Sequence, residues 1–119
     1  MLSNSDQKAI RAQVALYFKA CHEADLNNLQ QTLHPDVILS GYIKGSYLSW
    51  NRTQFIERIH AAEAYKHEPF LKEIISIEGT NDIAVVKTRV ISGENTFIDY
   101  LSMMKVNEQW LIRYKIFTC

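Results

Sequence analysis

Asp99 is the residue best suited to chemistry, a single carboxylate inside the apolar run Phe97-Ile98-Asp99-Tyr100-Leu101. A buried carboxylate is costly unless it is paired, and surroundings that raise its pKa make acids and bases. Asp99 is therefore either a pocket acid or base, or an outer-face aspartate paired with a neighbouring strand residue such as Arg89 or Arg113. Strand alternation places Asp99 with Phe97, Leu101 and Met103, and puts Ile98, Tyr100, Ser102 and Met104 on the other side. Tyr17, Tyr42, Trp50, Tyr100 and Tyr114 form a second set. Aromatic residues give a planar ligand contact area and a hydrogen-bonding tip, and they equally serve as ordinary core packing. Glu57 and His60 stand three apart on a predicted helix, a spacing known from di-metal bundles. His22, His34 and His67 fall in turns or helix ends, so no complete ligand set forms and no metal is assigned. Neither a glycine-rich phosphate loop, a nucleophile elbow nor a Cys/His dyad is found, and no cofactor is called for.

The elements that must hold these residues are legible from periodicity. Ile10, Val14, Tyr17, Phe18 and Cys21 recur at helical spacing after a predicted Asn4–Gln7 capping box. Asp25 caps a second helix with Leu26, Leu29 and Leu33 on one side. Pro35 is expected to end it and to make His34-Pro35-Asp36 a turn. Residues 37–43 and 47–50 read as strands. Asn51 and Gln54 then form a capping box for a helix carrying Phe55, Ile56, Ile59 and Ala62, which fades before His67-Glu68-Pro69. From residue 70 the period changes to two. The ranges 70–78, 83–91, 96–106 and 110–118 are rich in Ile, Val, Phe and Tyr, and turn-forming residues separate them. Such short connections require antiparallel neighbours. In the last run Trp110, Ile112, Tyr114 and Ile116 alternate with Leu111, Arg113, Lys115 and Phe117, and the first set is expected to face inward.

The totals exclude several classes. The 119 residues fit one domain spanning 1–119, with no repeat, linker or low-complexity stretch. Acidic and basic side chains balance at 13 each with no basic stripe, which argues against nucleic acid. No apolar run approaches the ~20 residues that span a bilayer. Two cysteines are too few for a disulfide framework, and the polar start Met1-Leu2-Ser3-Asn4-Ser5-Asp6 lacks a signal-peptide pattern. The expectation is a cytoplasmic protein. Both faces of the late strands carry apolar residues, so a homodimer through the outer face of the sheet is predicted.

Two stretches carry a resemblance. Ala24-Asp25-Leu26 with Leu29 and Leu33-His34-Pro35-Asp36-Val37 is similar to the second-helix-to-first-strand segment of the nuclear transport factor 2-like superfamily. Residues 97–106, followed by Trp110-Leu111-Ile112 and Lys115-Ile116-Phe117, resemble the last hairpin of its lumazine-binding branch, close to the SnoaL-like proteins. The tight turn before the tryptophan, usually Asp-Gly in relatives, is Asn107-Glu108-Gln109 here. The resemblance implies an α+β, cystatin-like cone: a curved antiparallel sheet with N-terminal helices on its concave face and a pocket between. It implies little about activity, because the fold hosts isomerases, cyclases, dehydratases and transport factors.

Comparison with the steroid isomerases of that superfamily sharpens the site. Tyr17 matches their helix tyrosine, but Ser40-Gly41-Tyr42 supplies no carboxylate base, and the late-strand acid's place falls on Ser102. That comparison turns Tyr100 and Ser102 inward and Asp99 outward, as a structural or dimer-contact residue. The expected ligand-binding set is then Tyr17, Tyr42, Trp50, Tyr100 and Ser102, holding a small apolar or aromatic molecule. Two alternatives stand beside simple binding: an acid–base enzyme of isomerase, cyclase or dehydratase type using the same pocket, and a protein-interaction module.

Overall fold

The computed structural model describes residues 1–62 and 70–119; the expected helix end at His67-Glu68-Pro69 lies outside them. Helix α1 (Asn4–Glu23) turns Ile10, Val14, Tyr17, Phe18 and Ala20 into the core. Its N-cap is Ser3, whose hydroxyl accepts from the Asp6 N–H, so the cap stands one residue before the expected Asn4. Ala24 ends the helix in the left-handed region, and the Asp25 N–H closes on the Ala20 carbonyl. Asp25 at once caps α2 (Leu26–Thr32). Helix α3 (Arg52–Ala61) opens on the reciprocal Asn51–Gln54 capping box read from sequence.

Strands β1 (Leu33–Ile43), β2 (Ser46–Asn51), β3 (Phe70–Thr80), β4 (Ile83–Ser92), β5 (Asn95–Val106) and β6 (Gln109–Thr118) form one sheet in the order β2-β1-β6-β5-β4-β3. The last four are the expected meander. The sheet is mixed rather than wholly antiparallel, because β1 runs parallel to β6. Gly41 allows that pairing to be close. A Cβ there would lie 2.7 Å from the Phe117 ring and closer still to its carbonyl.

One irregularity controls the site. Arg113 is skipped in both of β6's registers: β5 pairs Ser102 with Tyr114 and Met103 with Ile112, and β1 steps from Leu33 opposite Ile112 to Ile38 opposite Tyr114. This bulge changes the strand's parity. Trp110 and Ile112 face the core as expected, but Tyr114 and Ile116 point out, and Lys115 and Phe117 point in. The interruption also explains why His34-Pro35-Asp36 lies in a strand instead of the expected turn. Proline lacks a ladder donor and sits where the ladder is broken. There the Arg113 guanidinium donates to the Asp36 carbonyl and the Asp36 N–H donates to His34 Nδ1. The first turn of α1 is pinned to the last hairpin by Asp6, whose Oδ1 accepts from Lys105 Nζ at 3.0 Å and Trp110 Nε1 at 3.1 Å.

Candidate functional site

Between the helices and the inner face of the sheet lies an open cavity of about 190 Å³. Its walls are aromatic. Trp50 from β2 stacks on Phe117 from β6, with centroids 5.5 Å apart and planes within 4°. Phe55 from α3 packs against both Trp50 and Tyr17. Phe97 and Val90 complete the sheet side, and the Arg58 guanidinium lies 4.8 Å over the Trp50 ring at the cavity's edge.

Three polar groups meet in this apolar setting. Asp99 is 3% exposed. Its Oδ2 is 3.6 Å from Lys115 Nζ, and its Oδ1 is buried with no hydrogen-bond partner among the described residues. Thr88, directly across on β4, has a buried hydroxyl that is likewise without a partner. Lys115 Nζ donates to the Tyr17 hydroxyl at 3.0 Å and sits 5.1–5.6 Å over the rings of Tyr17, Phe55 and Phe117. Burial pushes the Tyr17 phenol well above its ordinary value, and the nearby Cys21 and Asp99 push the same way, so Tyr17 is a neutral hydroxyl. Cys21 is raised to about 11, chiefly by burial, and is an inert thiol at neutral pH. A buried carboxylate with a free lone pair, an ammonium and a neutral hydroxyl can together take up a proton and hold a ligand oxygen.

The structure sorts the residues chosen from sequence. Tyr17 and Trp50 line the cavity, and so does Asp99. The expected assignment of faces on β5 is reversed: Asp99 is inside, whereas Tyr100 is 44% exposed and Ser102 shares its outer face. Tyr42, 52% exposed, also points away and packs on Tyr47 across the β1–β2 hairpin. The regular alternation of β5 itself was right; the steroid-isomerase comparison chose the wrong side of it. Arg89 and Arg113, the suggested partners of Asp99, are engaged by Glu73 and by the Asp36 carbonyl. Lys115, Phe117, Phe55 and Arg58 were missed. Lys115 and Phe117 were hidden by the bulge at Arg113, and the available signal was Asp99 itself, which required a cation on the neighbouring strand. No cluster of three or more His, Cys, Asp or Glu side chains suited to a metal occurs among the described residues. No helix among them is long and apolar enough to cross a membrane.

Comparison with known proteins agrees with this architecture. The "Aldolase FrzH" of Cladobotryum sp is 23% identical over 117 residues, covering 98% of this chain and 93% of that protein. Among solved structures, an NTF-2 like protein of unknown function from Silicibacter pomeroyi superimposes with a TM-score of 0.87 at 22% identity, over 98% of both chains. A ketosteroid isomerase-like protein from Erwinia carotovora atroseptica gives 0.76 at 15% identity, over 98% of this chain and 97% of that one. At such identities these structures speak for the fold alone. The profile of the family described as "Putative lumazine-binding" matches residues 5–118. The chain belongs to that family, and its fold is the one these NTF2-like structures share.

Proposed function

We propose that the chain is one ligand-binding domain that takes a small planar molecule carrying a carbonyl oxygen and exchanges protons with it through Asp99. The observation that carries this reading is Asp99 Oδ1, a buried carboxylate oxygen without a partner among the described residues, beside an open aromatic cavity. A group so costly to bury is at rest when a ligand supplies its missing donor. The cavity volume suits a compact ligand, since about 150 Å³ of apolar space is enough to hold benzene. Trp50, Phe55, Phe97 and Phe117 take the ring, and Tyr17 and Lys115 hold the oxygen. Lumazine, for which the family is named, is a planar ring system with carbonyl oxygens, and the aldolase name of the Cladobotryum relative is also in keeping with carbonyl chemistry.

The partner in solution is a second copy. Ile38, Tyr42, Tyr100, Tyr114 and Ile116 are all more than 40% exposed, and the β1–β6–β5 pairing makes them neighbours on the outer face. Covering them would remove a broad apolar patch from water. Light scattering should give twice 13.8 kDa, and a monomer at micromolar concentration would contradict this. A cytoplasmic location agrees with the two free cysteines.

The function is tested with acetophenone, a one-ring ketone, in deuterated buffer. Binding is read by tryptophan fluorescence, and exchange of the methyl protons next to the carbonyl is read by NMR. The wild type should bind and accelerate exchange, Asp99→Asn should bind without exchange, and Tyr100→Phe should behave as wild type. Binding without exchange would leave a carrier protein and refute the acid–base role.

A further inference from the structure

We propose that Lys115 is a nucleophile that forms an imine with the carbonyl carbon of the ligand. The inference rests on the carbonyl-binding reading of the cavity and assigns its central amine a covalent task. The bulge at Arg113 turns Lys115 inward, where regular alternation would have left it on the outer face with Arg113. Its amine then ends inside the cavity among the rings of Tyr17, Phe55 and Phe117, with its side chain 13% exposed. Here the Asp99 oxygen stands 3.6 Å off, while the 3.0 Å bond goes to a neutral hydroxyl. An amine enclosed in this way and reaching into the cavity is placed to attack the carbon of a bound carbonyl.

The proton balance closes on the groups present. The Lys115 ammonium gives one proton to Asp99. The free amine attacks the carbonyl carbon, the new C–N bond forms, and the carbonyl oxygen takes a proton from the Tyr17 hydroxyl. The nitrogen of this carbinolamine then loses a proton to Tyr17. Protonated Asp99 returns its proton to the hydroxyl, which leaves as water as the C–N double bond forms. The product is a positively charged imine beside the Asp99 carboxylate, with no net oxidation or reduction.

The test uses benzaldehyde as the probe and cyanoborohydride to reduce any imine to a stable benzylamine, followed by peptide mapping. Lys115 should be benzylated roughly tenfold or more ahead of exposed lysines such as Lys19 and Lys44, because the cavity raises the local concentration of the probe. Lys115→Arg, which keeps the charge, should still show fluorescence quenching by benzaldehyde yet carry no excess label. Asp99→Asn should slow labelling of Lys115 while benzaldehyde still quenches its tryptophan fluorescence. Quenching in the wild type with labelling of Lys115 no faster than of Lys19 overturns the imine and leaves the cavity reading standing. Absence of both quenching and labelling overturns the two together.

Discussion

Replacing Lys115 by methionine probes the electrostatics of the site through stability alone. Methionine keeps most of the side-chain volume and adapts to irregular space, so the packing loss is small. The charge loss is not. Asp99 is 3% exposed, and its Oδ1 already lacks a partner, so without Lys115 neither oxygen has a charged neighbour within 4 Å among the described residues. Removing one member of a buried ion pair costs about 3–5 kcal/mol, mostly through the charge left behind. The separation of 3.6 Å exceeds hydrogen-bonding range, so no direct bond is lost and about 3 kcal/mol is expected. For a chain of this size that lowers the melting temperature by on the order of 10 °C. Urea melts at pH 7 followed by circular dichroism read this directly. Adding Asp99→Leu should restore stability to within about 1 kcal/mol of wild type, because both charges are then gone. A single substitution costing under about 1 kcal/mol, or a double substitution worse than the single, would refute the reasoning.

Three further outcomes follow from particular contacts. Asn107 and Glu108 both have positive φ, 51° and 65°, in the β5–β6 turn, so Glu108→Gly should stabilise by about 1 kcal/mol in the same melts. Cys21 and Cys119 are both partly exposed, but the Cys21 thiol is raised to about 11, chiefly by burial, so Cys21 should react with iodoacetamide at pH 8 more slowly than Cys119; equal rates would contradict that shift. The Asp6 carboxyl is held below 3.8 by its hydrogen bonds to Lys105 and Trp110, so its contribution is fully present above that value and lost as pH falls below it. Asp6→Asn should therefore lower the melting temperature at pH 7 and make little difference once the wild-type carboxyl is protonated.

The sequence carried most of the frame, and the reasons it lost the site are local. The stripe Ile10, Val14, Tyr17, Phe18 is visible because helical spacing is set by the backbone, and the Asn51–Gln54 box because both partners lie within one turn. Asp99 stood out because a carboxylate interrupts an apolar strand. The side on which it lies was not legible, since alternation groups residues by face without saying which face is covered. The bulge at Arg113 was equally hidden: it depends on how β1 and β5 both register against β6, and no residue at that position demands it. The parallel β1–β6 pairing joins residues 76 or more positions apart, such as Ile38 and Tyr114, beyond the reach of turn chemistry. Tyr42 and Tyr100 were drawn into the pocket by residue type, yet their strands give those positions to the outer face.

The most direct measurement is the crystal structure of the protein soaked with acetophenone. The ring should lie against Trp50, Phe55 and Phe117, with the ketone oxygen within hydrogen-bonding reach of Tyr17 or Lys115 and the methyl group beside Asp99 Oδ1. A ring seated on the outer face by Tyr100 and Tyr114, or a cavity that stays free of ligand at saturating concentration, would contradict the account.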